Sequence, residues 1–171
     1  IEPIEWTADG WYRTKSTATP IKTDPSIKHG LSLSDDFEGP EPGLQWTFWK
    51  EYAPQSLSFK KQTLWIDAKG STPSDARLLL ATAEDKNYET QVEVNVGKGN
   101  TAGLLLYYSE KAYAGVVSDG KNFTIYRNAE NSFTLPNKLG KRFLAKIQNQ
   151  GNSVRIAVSK DGKEWTTLVE N

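Results

Sequence analysis

The chain is written in short runs where apolar and polar residues alternate, with turn signals between them. The cleanest is Tyr88-Glu89-Thr90-Gln91-Val92-Glu93-Val94-Asn95-Val96. It sends Thr90, Val92, Val94 and Val96 one way and Glu89, Gln91, Glu93 and Asn95 the other, the period of a strand buried on one face. Runs at 102–109, 112–117, 122–127, 143–149, 153–159 and 164–169 continue the pattern. Asp119-Gly120 and Asp161-Gly162 stand between neighbouring runs, and a glycine there takes the positive φ of a tight turn at little cost. Leu31 to Phe37 and Leu44 to Trp49 alternate as well, the latter placing Leu44, Trp46 and Phe48 on one face and so assigning Trp46 to the core. Residues 56–59 and 63–67 predict a hairpin around Lys60-Lys61-Gln62, and 77–81 a short strand covered on both faces. No segment carries a helical period. Many short strands with turns between them predict an all-β fold, a two-sheet antiparallel sandwich.

Residues 1–30 break the pattern. Ile4 to Thr7 suits a strand and Asp9-Gly10 a turn into Trp11-Tyr12. From there 14–28 is rich in Thr, Ser, Pro and Lys, with Pro20 and Pro25 blocking regular structure. We read 1–30 as a tail and extended linker and 31–171 as the sandwich. The one histidine, His29, falls in the linker and is expected in solvent.

Charge narrows the partners. Twenty-one basic residues balance 21 acidic ones, so no net field recruits nucleic acid or an anionic membrane. No apolar run approaches the ~20 residues of a membrane span. Cysteine is absent, which excludes disulfides and thiolate metal sites but not export. The first residues lack the basic and apolar regions of a signal peptide and read as the interior of a longer polypeptide. Six Trp, seven Tyr and six Phe exceed what such a core requires, which predicts aromatics in a groove or an interface.

Several stretches together carry a resemblance: Phe37 with its preceding Asp pair, Trp46 to Trp49, Thr101 to Tyr107 and the Ser159-to-Trp165 hairpin. They resemble the C-terminal concanavalin A-like (jelly-roll) sandwich of glycoside hydrolase family 43, and Ile1 to Trp11 resembles the end of that family's five-bladed propeller. The resemblance implies a parent β-xylosidase or α-L-arabinofuranosidase acting on xylan or arabinoxylan, in a bacterial periplasm or outside the cell. It implies inverting hydrolysis by carboxyl groups spaced to admit a water. In the family those groups lie on the propeller, and no residue here matches them, so no catalytic residue is assigned. The sandwich is then an accessory that packs on the propeller and shapes its pocket. In the family a further loop and closing strand follow the position of Val169. The expectation is therefore an open sheet edge, or strand pairing there with another chain. The alternative function is an independent, lectin-like carbohydrate-binding module.

The candidate sites follow from side-chain chemistry. Glu89 and Glu93 share a strand face with Gln91 between them. An acid in that central position would tune its neighbours, and an amide does not, so these three are candidates for sugar binding rather than catalysis. Trp49, on the face opposite Trp46, and Tyr107 and Tyr113 are candidates to line a sugar groove, since a pyranose presents an apolar face to a ring. Asp35, Asp36 and Glu38 cluster in a turn. Their hard oxygens suit a structural Ca²⁺, such as many jelly-roll sandwiches hold near the first strand, and equally suit an Asx turn with solvent-facing acids. Trp6 and Trp11 are expected to be covered by the propeller.

Overall fold

The computed structural model describes residues 4–14, 32–83, 85–129 and 131–170. The chain divides into two compact units, Ile1–Ser32 and Leu33–Asn171. His29 and most of the proline-rich stretch lie outside the described residues. In the first unit, β1 (Ile4–Trp6) pairs antiparallel with β2 (Tyr12–Thr14), and Trp6 meets Tyr12 edge-to-face at 6.1 Å. Trp6 and Trp11 are both more than two-thirds exposed.

The second unit begins with short pieces. β3 (Thr47–Phe48) pairs with β6 (Leu79–Leu80), and β4 (Leu57–Phe59) with β5 (Leu64–Ile66). The β4–β5 turn puts Lys61 and Gln62 at φ 53° and 55°, the double positive φ of a tight hairpin. Two expectations fail in this region. Residues 32–38 form no strand, because the Asp35 carboxylate accepts the Phe37 N–H at 2.8 Å and folds the chain into a turn. Only Thr47 and Phe48 of the second run pair. Trp46 donates its backbone N–H to Gly43 across a turn, which leaves Leu44 92% exposed instead of sharing a face with Trp46 and Phe48.

The sandwich proper comes from eight strands. They are β7 (Asn87–Asn95), β8 (Ala102–Ser109), β9 (Ala112–Ser118), β10 (Asn122–Asn128), β11 (Asn131–Pro136), β12 (Arg142–Gln150), β13 (Ser153–Ser159) and β14 (Trp165–Glu170). One sheet has the order β14-β13-β12-β7 and the other β11-β10-β9-β8, with every pairing antiparallel. The chain leaves the first sheet after β7, runs a four-stranded meander, and returns as β12 to lie along β7. Both Asp-Gly turns form where the sequence places them. Asp119 Oδ1 accepts the N–H groups of Lys121 and Asn122, and Asp161 Oδ1 those of Lys163 and Glu164. Gly120 and Gly162 sit at φ 88° and 79°.

Alternation then sorts the side chains. Val94, Phe143, Ala145, Ile147, Ile156 and Val158 from one sheet meet Val116, Phe123 and Ile125 from the other in a single buried cluster. Phe123 and Phe143 cross edge-to-face at 5.1 Å. Each of the larger side chains contributes about 1.5–3 kcal/mol by burial. Among the described residues no helix is long and apolar enough to cross a membrane.

Candidate functional site

The sequence-derived candidates fall on three separate places. Glu89, Gln91 and Glu93 project from β7 onto the outer, exposed face of the β14-β13-β12-β7 sheet. The register sets Lys146 opposite Gln91, Gln148 opposite Glu89 and Leu144 opposite Glu93. Lys146 Nζ lies 2.8 Å from Glu89 Oε1 and 4.2 Å from the centre of the Trp165 ring. Gln148 donates to the other Glu89 oxygen at 2.6 Å, and Arg142 Nε donates to Glu93 at 2.7 Å. The Lys146 ammonium hydrogen-bonded to Glu89 holds that carboxyl below its ordinary range, and Glu93 raises the pKa of Arg142. A glycosidase acid needs the opposite environment, one that keeps the carboxyl protonated near neutrality. Beside this row a shallow, open hollow of about 370 Å³ is lined by Glu93, Arg142, Phe143, Leu144 and Lys160.

Trp49, Tyr107 and Tyr113 are brought together on the outer side of the other sheet. Tyr107 and Tyr113 face each other across the β8–β9 pair and stack at 5.7 Å with 11° between their planes. Trp49 and Tyr126 close on either side, edge-to-face at 5.3 Å each. Tyr113 is 6% exposed, and Ser74 lies 3.4 Å from its hydroxyl. The Trp49 indole nitrogen and the Tyr107 hydroxyl are buried with no hydrogen-bond partner among the described residues. Burial pushes the Tyr107 phenol up. These rings are packed on one another rather than spread along an open groove. The signal was present in the sequence: Tyr107 and Tyr113 stand equally far from Glu110 at the turn, so a hairpin must pair them.

Asp35, Asp36 and Glu38 are each turned to a protein donor. Asp35 Oδ2 accepts the Trp46 indole N–H at 2.8 Å and the Gln45 amide at 3.0 Å, while its Oδ1 takes the Phe37 N–H. Asp36 accepts the Glu38 N–H at 3.2 Å, and Glu38 accepts from Gln62. Among the described residues no three acidic or imidazole side chains stand close enough together to hold a metal ion. The arrangement pins the 35–38 turn to Trp46, whose ring stacks on Phe37 at 6.1 Å.

Residues 34–171 match the family described as the β-xylosidase C-terminal concanavalin A-like domain. The chain belongs to this family. The two antiparallel sheets are the concanavalin A-like sandwich that the family description names. Among solved structures the chain is similar to the GH43 protein BlXynB of Bacillus licheniformis, at 20% identity and a TM-score of 0.70, over 99% of this chain and 37% of that one. It is similar to xylan β-1,4-xylosidase of Bacillus halodurans at 18% identity and a TM-score of 0.68, over 99% and 38% of the two chains. The protein described as Bacteroides ovatus xyloglucan PUL GH43B gives 15% and 0.68 over the same shares. At these identities the likeness is one of fold. The chain spans 37–38% of the length of these solved relatives. No match was found among curated proteins.

Proposed function

We propose that the chain is the accessory sandwich of a family 43 glycoside hydrolase that acts outside the cytoplasm on hemicellulose of the xylan or arabinoxylan type. In this reading it packs against a catalytic propeller of the same polypeptide and shapes that propeller's pocket. The observation that carries the reading is the match of 34–171 to a domain described as C-terminal in β-xylosidases. One solved relative is named a xylan β-1,4-xylosidase, which supports the substrate class. The site chemistry agrees, since Glu89 is held ionised by Lys146 and Glu93 is tied to Arg142. Large apolar side chains left bare in the second unit, Leu44, Tyr52 and Trp65, are 92%, 82% and 56% exposed. Exposed apolar side chains of this kind suit docking on a second domain.

Comparing aryl xyloside and aryl arabinofuranoside hydrolysis by the longer polypeptide, with and without residues 33–171, tests the reading. An accessory that shapes the pocket predicts a raised KM or lost activity on deletion. Unchanged kinetics would contradict it.

A further inference from the structure

The strand pairings bring four turns to one end of the sandwich: β7–β8, β9–β10, β11–β12 and β13–β14. In one sheet Asn95 stands opposite Arg142 and Leu144 opposite Ser159. In the other, Ala102 stands opposite Ser118 and Asn122 opposite Pro136. Each of these turns carries lysine. Lys98 is in the first, Lys121 in the second, Lys138 and Lys141 in the third, and Lys160 and Lys163 in the fourth, all of them exposed. None of them forms an ion pair among the described residues.

The acids of the same stretches offset this charge only in part. Glu93 is matched by Arg142. Asp119 and Asp161 each turn a carboxylate oxygen to two backbone N–H groups of their own turn, and Glu164 adds one more negative charge. Cations therefore exceed acids at this end. The whole chain balances 21 basic against 21 acidic residues, so the excess here is matched by an excess of acid elsewhere. A net charge of zero conceals a local positive field.

The lysines stand on a braced platform. The Lys141 carbonyl accepts the Val96 N–H at 2.9 Å, which ties the first turn to the third. The Lys121 carbonyl accepts the Asn137 N–H at 2.8 Å, and the Asn137 amide reaches Ser118 Oγ at 2.8 Å, which ties the second to the third. Lys160 Nζ donates to the carbonyls of Leu139 and Arg142 at 2.9 and 3.1 Å, which ties the fourth to the third. With strands about 4.8 Å apart and sheets about 10 Å apart, the platform measures roughly 14 by 10 Å.

We propose that this end of the sandwich binds an anionic polysaccharide through the carboxylates repeated along its uronic acid units. Lysine is a point charge without the planar fork of arginine, which suits single carboxylates recurring along a chain. Nucleic acid is served less well. The exposed aromatic side chains among the described residues, Tyr52, Trp65 and Tyr108 among them, lie outside these turns, so no exposed ring stands in them to stack on a base. A lipid surface is also served less well. Of the exposed large apolar side chains among the described residues, Leu135 alone adjoins these turns, at 39% exposure, and peripheral attachment draws on buried apolar area as well as charge.

The proposal is independent of the function proposed above. Its test is native electrophoresis of the chain through gels containing polygalacturonate, with neutral arabinoxylan as the comparison and hexagalacturonate titration by calorimetry for affinity. Polygalacturonate is expected to retard the chain more than arabinoxylan does. Hexagalacturonate binding is expected to be lost at about 1 M NaCl, where charges are screened within about 3 Å. Lys121→Gln combined with Lys138→Gln is expected to weaken hexagalacturonate binding about three- to tenfold, the size of two exposed ion pairs. Lys86→Gln combined with Lys111→Gln makes the same change of charge at the opposite end of the sandwich and is expected to leave binding unchanged. Circular dichroism confirms that the variants are folded. Absence of retardation, equal weakening by the two double variants, or equal or stronger retention by double-stranded DNA or phosphatidylglycerol vesicles would overturn the proposal. Binding is read here without turnover, so a longer polypeptide lacking glycosidase activity would leave this result standing. A chain that fails to bind would leave the accessory role standing.

Discussion

Asp35→Asn separates the two chemistries available to the first acidic turn. Three donors converge on the Asp35 carboxylate: the Trp46 indole at 2.8 Å, the Gln45 amide at 3.0 Å and the Phe37 backbone at 2.8 Å. Asparagine keeps the shape but offers one acceptor oxygen, and its NH₂ then faces a donor. A hydrogen bond to a charged group is worth about 1.5–3 kcal/mol, and a donor left without an acceptor adds its own cost. The three bonds share one carboxylate and are not additive, so the loss is set near the largest, about 2–3 kcal/mol. At about 2–4 °C per kcal/mol for a domain of this size, Tm should fall by roughly 4–12 °C. Thermal melts followed by tryptophan fluorescence measure it, each run with excess CaCl₂ and with EDTA. The staple predicts a large drop in the variant and no response of either protein to the cation. A wild-type Tm that rises with Ca²⁺ while the variant's does not would refute the reasoning and restore the cation reading.

Other outcomes follow from the same geometry. Phe143, 1% exposed and edge-to-face with Phe123, should cost about 3–5 kcal/mol as Phe143→Ala in urea unfolding. Gly162→Ala should cost about 1–2 kcal/mol, because φ is 79° there and the new Cβ meets Leu144 at 3.2 Å. Asp75 accepts from the Thr72 hydroxyl and backbone and from the Ser71 backbone, which lowers its pKa from 3.8 to about 2. A lowered carboxylate contributes stability above its unfolded pKa and loses it as pH falls through the folded one. The Asp75 contribution should therefore vanish between about pH 3.8 and 2, with a carboxyl NMR titration giving the midpoint. Glu89 follows the same sign from its ordinary value of 4.5 downward, so Glu89→Gln should flatten the acid limb of stability below about pH 4.5.

The sandwich half of the chain was legible because alternation and turn chemistry agree there. β7 is buried and exposed in the order that Thr90, Val92 and Val94 dictate. The Ser159-to-Trp165 turn forms as its Asp-Gly requires, with the Trp165 indole closing on the Gly162 carbonyl. The segment from 32 to 83 was less legible. There the partners are distant: Asp35 reaches Trp46, Lys50 pairs with Glu110, and Ser74 reaches the Glu110 carbonyl. Local alternation at Leu44 to Phe48 is overridden when the chain turns at Gly43 and Trp46. The outer-face residues of β7 could be named from the sequence, but not their tethering. Which cation meets Glu89 depends on the return of β12 along β7, a pairing of strands far apart in the chain.

The most direct measurement is turnover of aryl β-xyloside and aryl α-L-arabinofuranoside by this chain alone, beside the same chain carrying Glu89→Gln and Glu93→Gln. The account predicts no hydrolysis above the uncatalysed rate from any of the three. Turnover by the wild-type chain that either substitution abolished would place the bond-breaking acids on this sheet and contradict it.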